Sequence, residues 1–105
     1  MRPATKLEIL TYGDCVAKRL RELREEHKLT MDQFRARLAE LGVHKENGDP
    51  VPYSTAYSWE RGPSNRGVEL PIGYFPVIAR MYGFSSPAEW LPTKGMRLTK
   101  KGGQV

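Results

Sequence analysis

The chain has 105 residues, with 17 Lys and Arg against 12 Asp and Glu and a formal net charge of +5. That length suits one domain with a modest core. A mean hydropathy of -0.57 and the lack of any apolar run of membrane-spanning length predict a soluble protein with no membrane partner. One cysteine, Cys15, permits no internal disulfide, and two histidines supply no zinc set.

The first ten residues, Met1 to Leu10, mix charged and apolar types where a signal peptide would need an apolar block, so a cytoplasmic location is expected. Leu7, Ile9 and Leu10 fit a short strand or a loose arm equally well, and 1–13 is left as an N-terminal arm. Gly13-Asp14 offers an N-cap. Val16, Leu20, Leu23 and His27 then recur at helical spacing among charged residues, which predicts a first amphipathic helix. Cys15 reads as a small packing residue and His27 as a residue at the helix C-terminus.

Thr30-Met31-Asp32-Gln33 is a capping box, and Leu29 with Phe34 is the hydrophobic staple that accompanies one. A second helix is therefore predicted from Thr30, with Phe34, Leu38 and Leu41 buried as far as Gly42 and Arg35 and Arg37 outside the stripe. Residues 43–50 hold Asn47-Gly48, Asp49 and Pro50 and read as a loop.

Residues 52–62 form a short helix marked at both ends, by Pro52 in the first turn and by Gly62-Pro63 after the last. Ala56, Trp59 and Thr55 fall on one face, while Tyr53, Ser54, Tyr57 and Ser58 fall on another. A helix this short cannot stand alone in water, so the Trp59 face must be buried and the hydroxyl-bearing face presented. An ordinary surface helix held by a buried tryptophan is the plainer reading of the same residues. Trp59-Glu60-Arg61-Gly62, with Val51 before it and Leu29-Thr30 further back, resembles the end of the recognition helix in the phage-repressor (Cro/C1, or XRE) helix-turn-helix family.

The resemblance runs from about Asp14 to Leu91. It implies an all-α fold, a compact five-helix lambda-repressor-like domain over 14–91 with a long loop between helices 2 and 3. The family joins those helices in about three or four residues, and this chain carries roughly ten more. The extra residues could lie beside DNA as an additional contact or could displace the third helix. Beyond it, Ile72, Phe75, Ile78, Ala79 and Tyr82 are spaced for a fourth helix with Pro76 near its start. Ser86-Pro87-Ala88-Glu89 is a second capping box, which predicts a fifth helix carrying Trp90 and Leu91. Residues 92–105 have little to bury and are expected as a basic flexible tail.

By resemblance the function is that of a sequence-specific, repressor-like transcriptional regulator of bacterial or phage type, with double-stranded DNA as partner. The base-contacting candidates are Tyr53, Ser54, Tyr57 and Ser58. Phosphate contacts are expected from Gln33, Lys45, Arg61, Ser64, Asn65 and Arg66; Met31 stands where relatives often carry a glutamine. Arg24 and Glu60 match positions that pair in the family as a buried ion pair. A two-fold dimer on DNA is expected, since one module's few base contacts give too little discrimination, and Trp90, Leu91, Met96 and Leu98 are the surface chosen for pairing. Charge tempers the picture: residues 41–70 carry three basic and four acidic side chains, so the centre of the chain is not basic. Two other readings stand beside it, a helix-turn-helix fold reused as a protein adaptor or antirepressor, and a DNA-binding antitoxin. No phosphate loop, carboxylate pair or Ser/His/Asp or Cys/His arrangement supports catalysis, and no metal, cofactor or small-molecule ligand is expected.

Overall fold

The structure, a computed structural model, describes residues 7–93 and 97–100. It is mostly helical. Strand β1 (Leu7–Leu10) leads into α1 (Tyr12–Glu26), α2 (Met31–Glu40), α3 (Tyr53–Arg61) and α4 (Phe75–Met81), with 3-10 turns at Pro63–Asn65, Ile72–Tyr74 and Pro87–Glu89, and ends in strand β2 (Arg97–Lys100).

Two N-termini are closed by their own side chains. In α2 the expected box is complete: Thr30 Oγ1 accepts from Gln33 N at 3.1 Å and Gln33 Oε1 accepts from Thr30 N at 2.9 Å. Leu29 and Phe34 are both buried, as a staple requires. Helix α1 starts earlier than Gly13-Asp14 suggests, because Thr11 is its N-cap and Asp14 its third residue, the two joined as a second box. The signature Thr-x-x-Asp does the work usually given to Thr-x-x-Glu.

Three C-termini close alike. In α2 the Gly42 N–H donates to Ala39 O and Val43 N–H to Leu38 O, and α4 repeats this with Gly83 and Phe84. In α1 the same pair of bonds runs from Lys28 to Glu25 O and from Leu29 to Arg24 O. These are Schellman motifs, and α1 places a lysine at φ 56° where glycine is usual.

The core gathers Val16, Leu20, Leu23, Phe34, Leu38, Ala56, Trp59, Ile78 and Trp90. Helix α3 packs against both α1 and α2, and α4 against α2. His27 caps α1 with its ring 4.7 Å from that of Tyr82.

Several expectations need correction. Helix five is one 3-10 turn: Ser86 makes no side-chain cap, and Glu89 Oε1 instead accepts from Ser85 N at 2.8 Å. The fourth helix begins at Phe75 after a 3-10 turn, and Ile72, expected in its buried stripe, is 77% exposed. Pro76 has no N–H to donate to Ile72 O, so that turn is closed by the Phe75 N–H as a 3-10 turn and the α-helix starts at Phe75.

Near the N-terminus the strand, one of the two readings open for Leu7, Ile9 and Leu10, is formed, and its partner lies within the expected tail. Leu7–Leu10 and Arg97–Lys100 pair antiparallel, Leu7 opposite Lys100 and Leu10 opposite Arg97, so the helical domain carries a two-stranded ribbon. The Tyr12 hydroxyl donates to Pro92 O at 3.3 Å, which brings the two ends side by side where the ribbon starts. The rest of the expected arm and tail, 1–6, 94–96 and 101–105, lies outside the described residues. Trp90 is withdrawn from the expected pairing surface: it is 1% exposed, stacks edge-on to Phe75, and donates its indole N–H to Phe75 O at 3.1 Å. Leu91 is half-buried, Leu98 lies in β2, and Met96 is outside the described residues. Among the described residues, no helix is long and apolar enough to cross a membrane.

Candidate functional site

Helix α3 is fixed from below and open above. Ala56 and Trp59 are buried, and the Trp59 ring meets Tyr74 edge-on at 5.6 Å. Glu60, between that face and the last turn, is 4% exposed and fully partnered. Arg24 grips it with two bonds, Nε to Oε2 at 2.7 Å and Nη2 to Oε1 at 3.0 Å, and spends Nη1 on Leu29 O at 3.0 Å. The expected ion pair is therefore present, and it locks α3 to α1 and to the turn before α2. The Glu60 hydrogen bond raises the Arg24 pKa further, against burial, which acts to lower it. Tyr82 lies beside the pair with its hydroxyl buried and unpartnered among the described residues, and burial first, then the Glu60 charge, push its pKa up.

The open face is a stripe at i, i+4, i+8. Tyr53 is 53% and Tyr57 47% exposed, their rings stacked with centroids 6.3 Å apart. The Arg61 guanidinium lies over the Tyr57 ring at 5.7 Å. Ser54 is exposed beside them. Ser58 is half-buried, and its hydroxyl donates to Thr55 O at 2.7 Å, which commits its proton and leaves acceptor lone pairs. That back-bond is common for serine inside a helix.

The segments flanking α3 are ordered by local bonds. The loop before it is a tight hairpin: His44 bridges Pro50, Lys45 N donates to Asp49 O at 2.8 Å, and Asp49 N donates to the Asn47 side chain at 3.0 Å. Arg35 reaches across from α2, half-buried, and donates to Val51 O at 2.8 Å, which sets where α3 begins. Pro52 is then the N-cap rather than a first-turn residue, its carbonyl accepting from Thr55 and Ala56. Lys45 is exposed on the hairpin.

After α3, Gly62 has φ 87° and ψ 152°, a region open to glycine alone. Gly67 donates to Gly62 O at 2.8 Å and crosses so close to Ser58 O that a Cβ would collide with it. Ser64, expected at a phosphate, has both of its donors engaged within the protein. Its N–H donates to Asp14 Oδ1 at 2.9 Å and its hydroxyl to Asp14 Oδ2, so it belongs to the joint with α1. Burial acts to raise the Asp14 pKa, but hydrogen bonds from Ser64 and Thr11 outweigh it and the net shift is downward.

Asn65 and Arg66 are exposed, and Arg66 holds φ 64°. Gln33 is exposed at the start of α2, but its carbonyl oxygen is committed to the cap, leaving its amide N–H groups. Met31, at the first position of α2, is 6% exposed in the core. Sequence reading missed Arg21, an exposed α1 residue that lines a pocket with Tyr57, Arg61 and Asn65. Its position on the charged side of α1 gave no sign of which element it would face. Comparison with protein-family models, with curated proteins and with solved structures returns no match.

Proposed function

We propose that this chain is a sequence-specific, helix-turn-helix-type regulator that binds duplex DNA through the exposed face of α3. The observation that carries the reading is the solvent-facing Tyr53–Tyr57–Arg61 stripe on a helix whose opposite face is locked by Trp59 and the Arg24–Glu60 pair. A rigid helix with a polar, aromatic face suits a major groove, where hydroxyls can meet base edges and tyrosine rings can pack on thymine methyls. Tyr53, Ser54 and Tyr57 are the base-reading residues in this account. Lys45, Asn65, Arg66 and the Gln33 amide flank them as phosphate contacts. The resemblance of Trp59-Glu60-Arg61-Gly62 to Cro/C1-type repressors supports the same assignment. Two copies on an inverted repeat would supply the discrimination that one copy's few base contacts cannot.

The exposed tyrosine pair also favours a second reading, a face that docks on another protein, because the first two turns of α3 carry no cation. Selection of bound duplexes from a random pool, read by mobility shift across a salt series, separates the two. A recovered consensus with inverted symmetry is the expected result. Retention of no duplex at low salt would leave the adaptor reading.

A further inference from the structure

At the C-terminal end of α3 an open pocket of about 400 Å³ is lined by Arg21, Arg24, Tyr57, Glu60, Arg61 and Asn65. Its charges are unevenly committed. Glu60 is neutralised by Arg24 through two hydrogen bonds. Arg21 and Arg61 have no carboxylate within 4.0 Å among the described residues, the ion pairs there being made by Arg19, Arg24 and Arg35. What remains is two unpaired guanidinium groups with a phenol and a carboxamide beside them, a donor-rich set around a net positive charge. Guanidinium groups in that setting match an oxyanion with several acceptor oxygens, and a phosphoryl group is the form that fits best.

The spacing along α3 says where such a group comes from. Tyr53 and Arg61 are eight residues apart, about 12 Å of helix at ~1.5 Å per residue. A major groove is about 12 Å wide. With Tyr53 and Tyr57 on base edges, Arg61 therefore reaches the wall of the groove, where the phosphates are. The cation–π contact with Tyr57 holds the guanidinium at that position.

We infer that Arg21 of α1 and Arg61 of α3, assisted by Asn65, clamp a single phosphate of the DNA backbone. The inference rests on the proposed function and adds α1 to the binding surface. One shared phosphate has a distinct signature, because each neutralised phosphate contributes about 0.9 to the slope of log affinity against log salt. Arg21→Gln should weaken duplex binding about tenfold with the base preference intact, and Arg21→Gln/Arg61→Gln should lower the slope by about 0.9 in total. A loss of about 1.8 in the double variant, or an Arg21→Gln protein that binds like wild type, would overturn the shared clamp. Titration of the full chain with inorganic pyrophosphate, followed through the arginine Nε–H resonances, keeps the two ideas apart. Shifts at Arg21 and Arg61 in a protein that retains no duplex would support the oxyanion pocket and reject DNA as its source. Duplex binding with no effect of either arginine would reject the pocket and leave the proposed function standing.

Discussion

The two faces of α3 divide the protein's work between them. On the inner face every polar group is answered: the Glu60 carboxylate is held by two bonds from Arg24, and Ala56 and Trp59 fill the core. On the outer face Tyr53 and Tyr57 stand half in water, their rings stacked on one another and Tyr57 lying under the Arg61 guanidinium. A buried charge is tolerable only with its partner in place, so neither Arg24 nor Glu60 can change alone without cost. Exposed rings cost the fold little to change. Under the proposed function the inner face sets stability and the outer face sets what is bound, and substitutions should separate the two properties.

The largest expected effect lies inside. Arg24→Ala strands the Glu60 carboxylate and should cost about 3–5 kcal/mol of stability, read as a lowered urea midpoint. Arg24→Ala/Glu60→Gln should recover part of the loss, because the stranded charge has gone. An unchanged midpoint in Arg24→Ala would mean that the pair does not hold α3.

Next is the joint that carries α3 into its following loop. Gly62→Ala forces a side chain into glycine-only backbone space and against Asp14 Oδ1, and should destabilise by about 1–3 kcal/mol. Asp14 ties that joint to α1, and its folded pKa is lowered from the usual 3.8. A carboxylate lowered in the folded state adds stability that is present above pH 3.8 and is lost as pH falls through the folded pKa. The acid side of the stability profile should therefore flatten in Asp14→Asn.

Much of this was legible beforehand and some was not. Thr30 to Gln33 with Leu29 and Phe34 marked the start of α2, because a capping box needs only residues adjacent in sequence. The Arg24–Glu60 pair followed from its resemblance. Ser86 to Glu89 carries the same kind of signature as Thr30 to Gln33, yet it yields one turn, since Trp90 turns inward to Phe75 and a second turn does not form. Ser64 and Ser58 looked free to donate because side-chain hydroxyls carry no sequence mark of the acceptor they will find. Arg21 escaped notice because its neighbours Tyr57, Arg61 and Asn65 are some 36 to 44 positions away and meet it only through tertiary packing.

Smaller effects sharpen the comparison from outside α3. Lys28→Gly relieves a left-handed non-glycine residue at the α1 C-terminus and should stabilise by about 0.5–1 kcal/mol, measurable as a raised thermal midpoint. Ser58→Ala loses only a bond to Thr55 O. Its stability should change by no more than about 0.5 kcal/mol, and its duplex preference should match that of wild type. A relaxed preference in Ser58→Ala would return that hydroxyl to the reading face.

The most direct test of the outer face is the specificity ratio, the affinity for a selected duplex divided by that for a scrambled one, in Tyr57→Ala compared with wild type at fixed salt. The account predicts that the ratio falls by about tenfold, the equivalent of one base contact, while the urea midpoint stays within error of wild type. An unchanged ratio in a protein that still binds duplex tightly would contradict the claim that α3 reads DNA through this face.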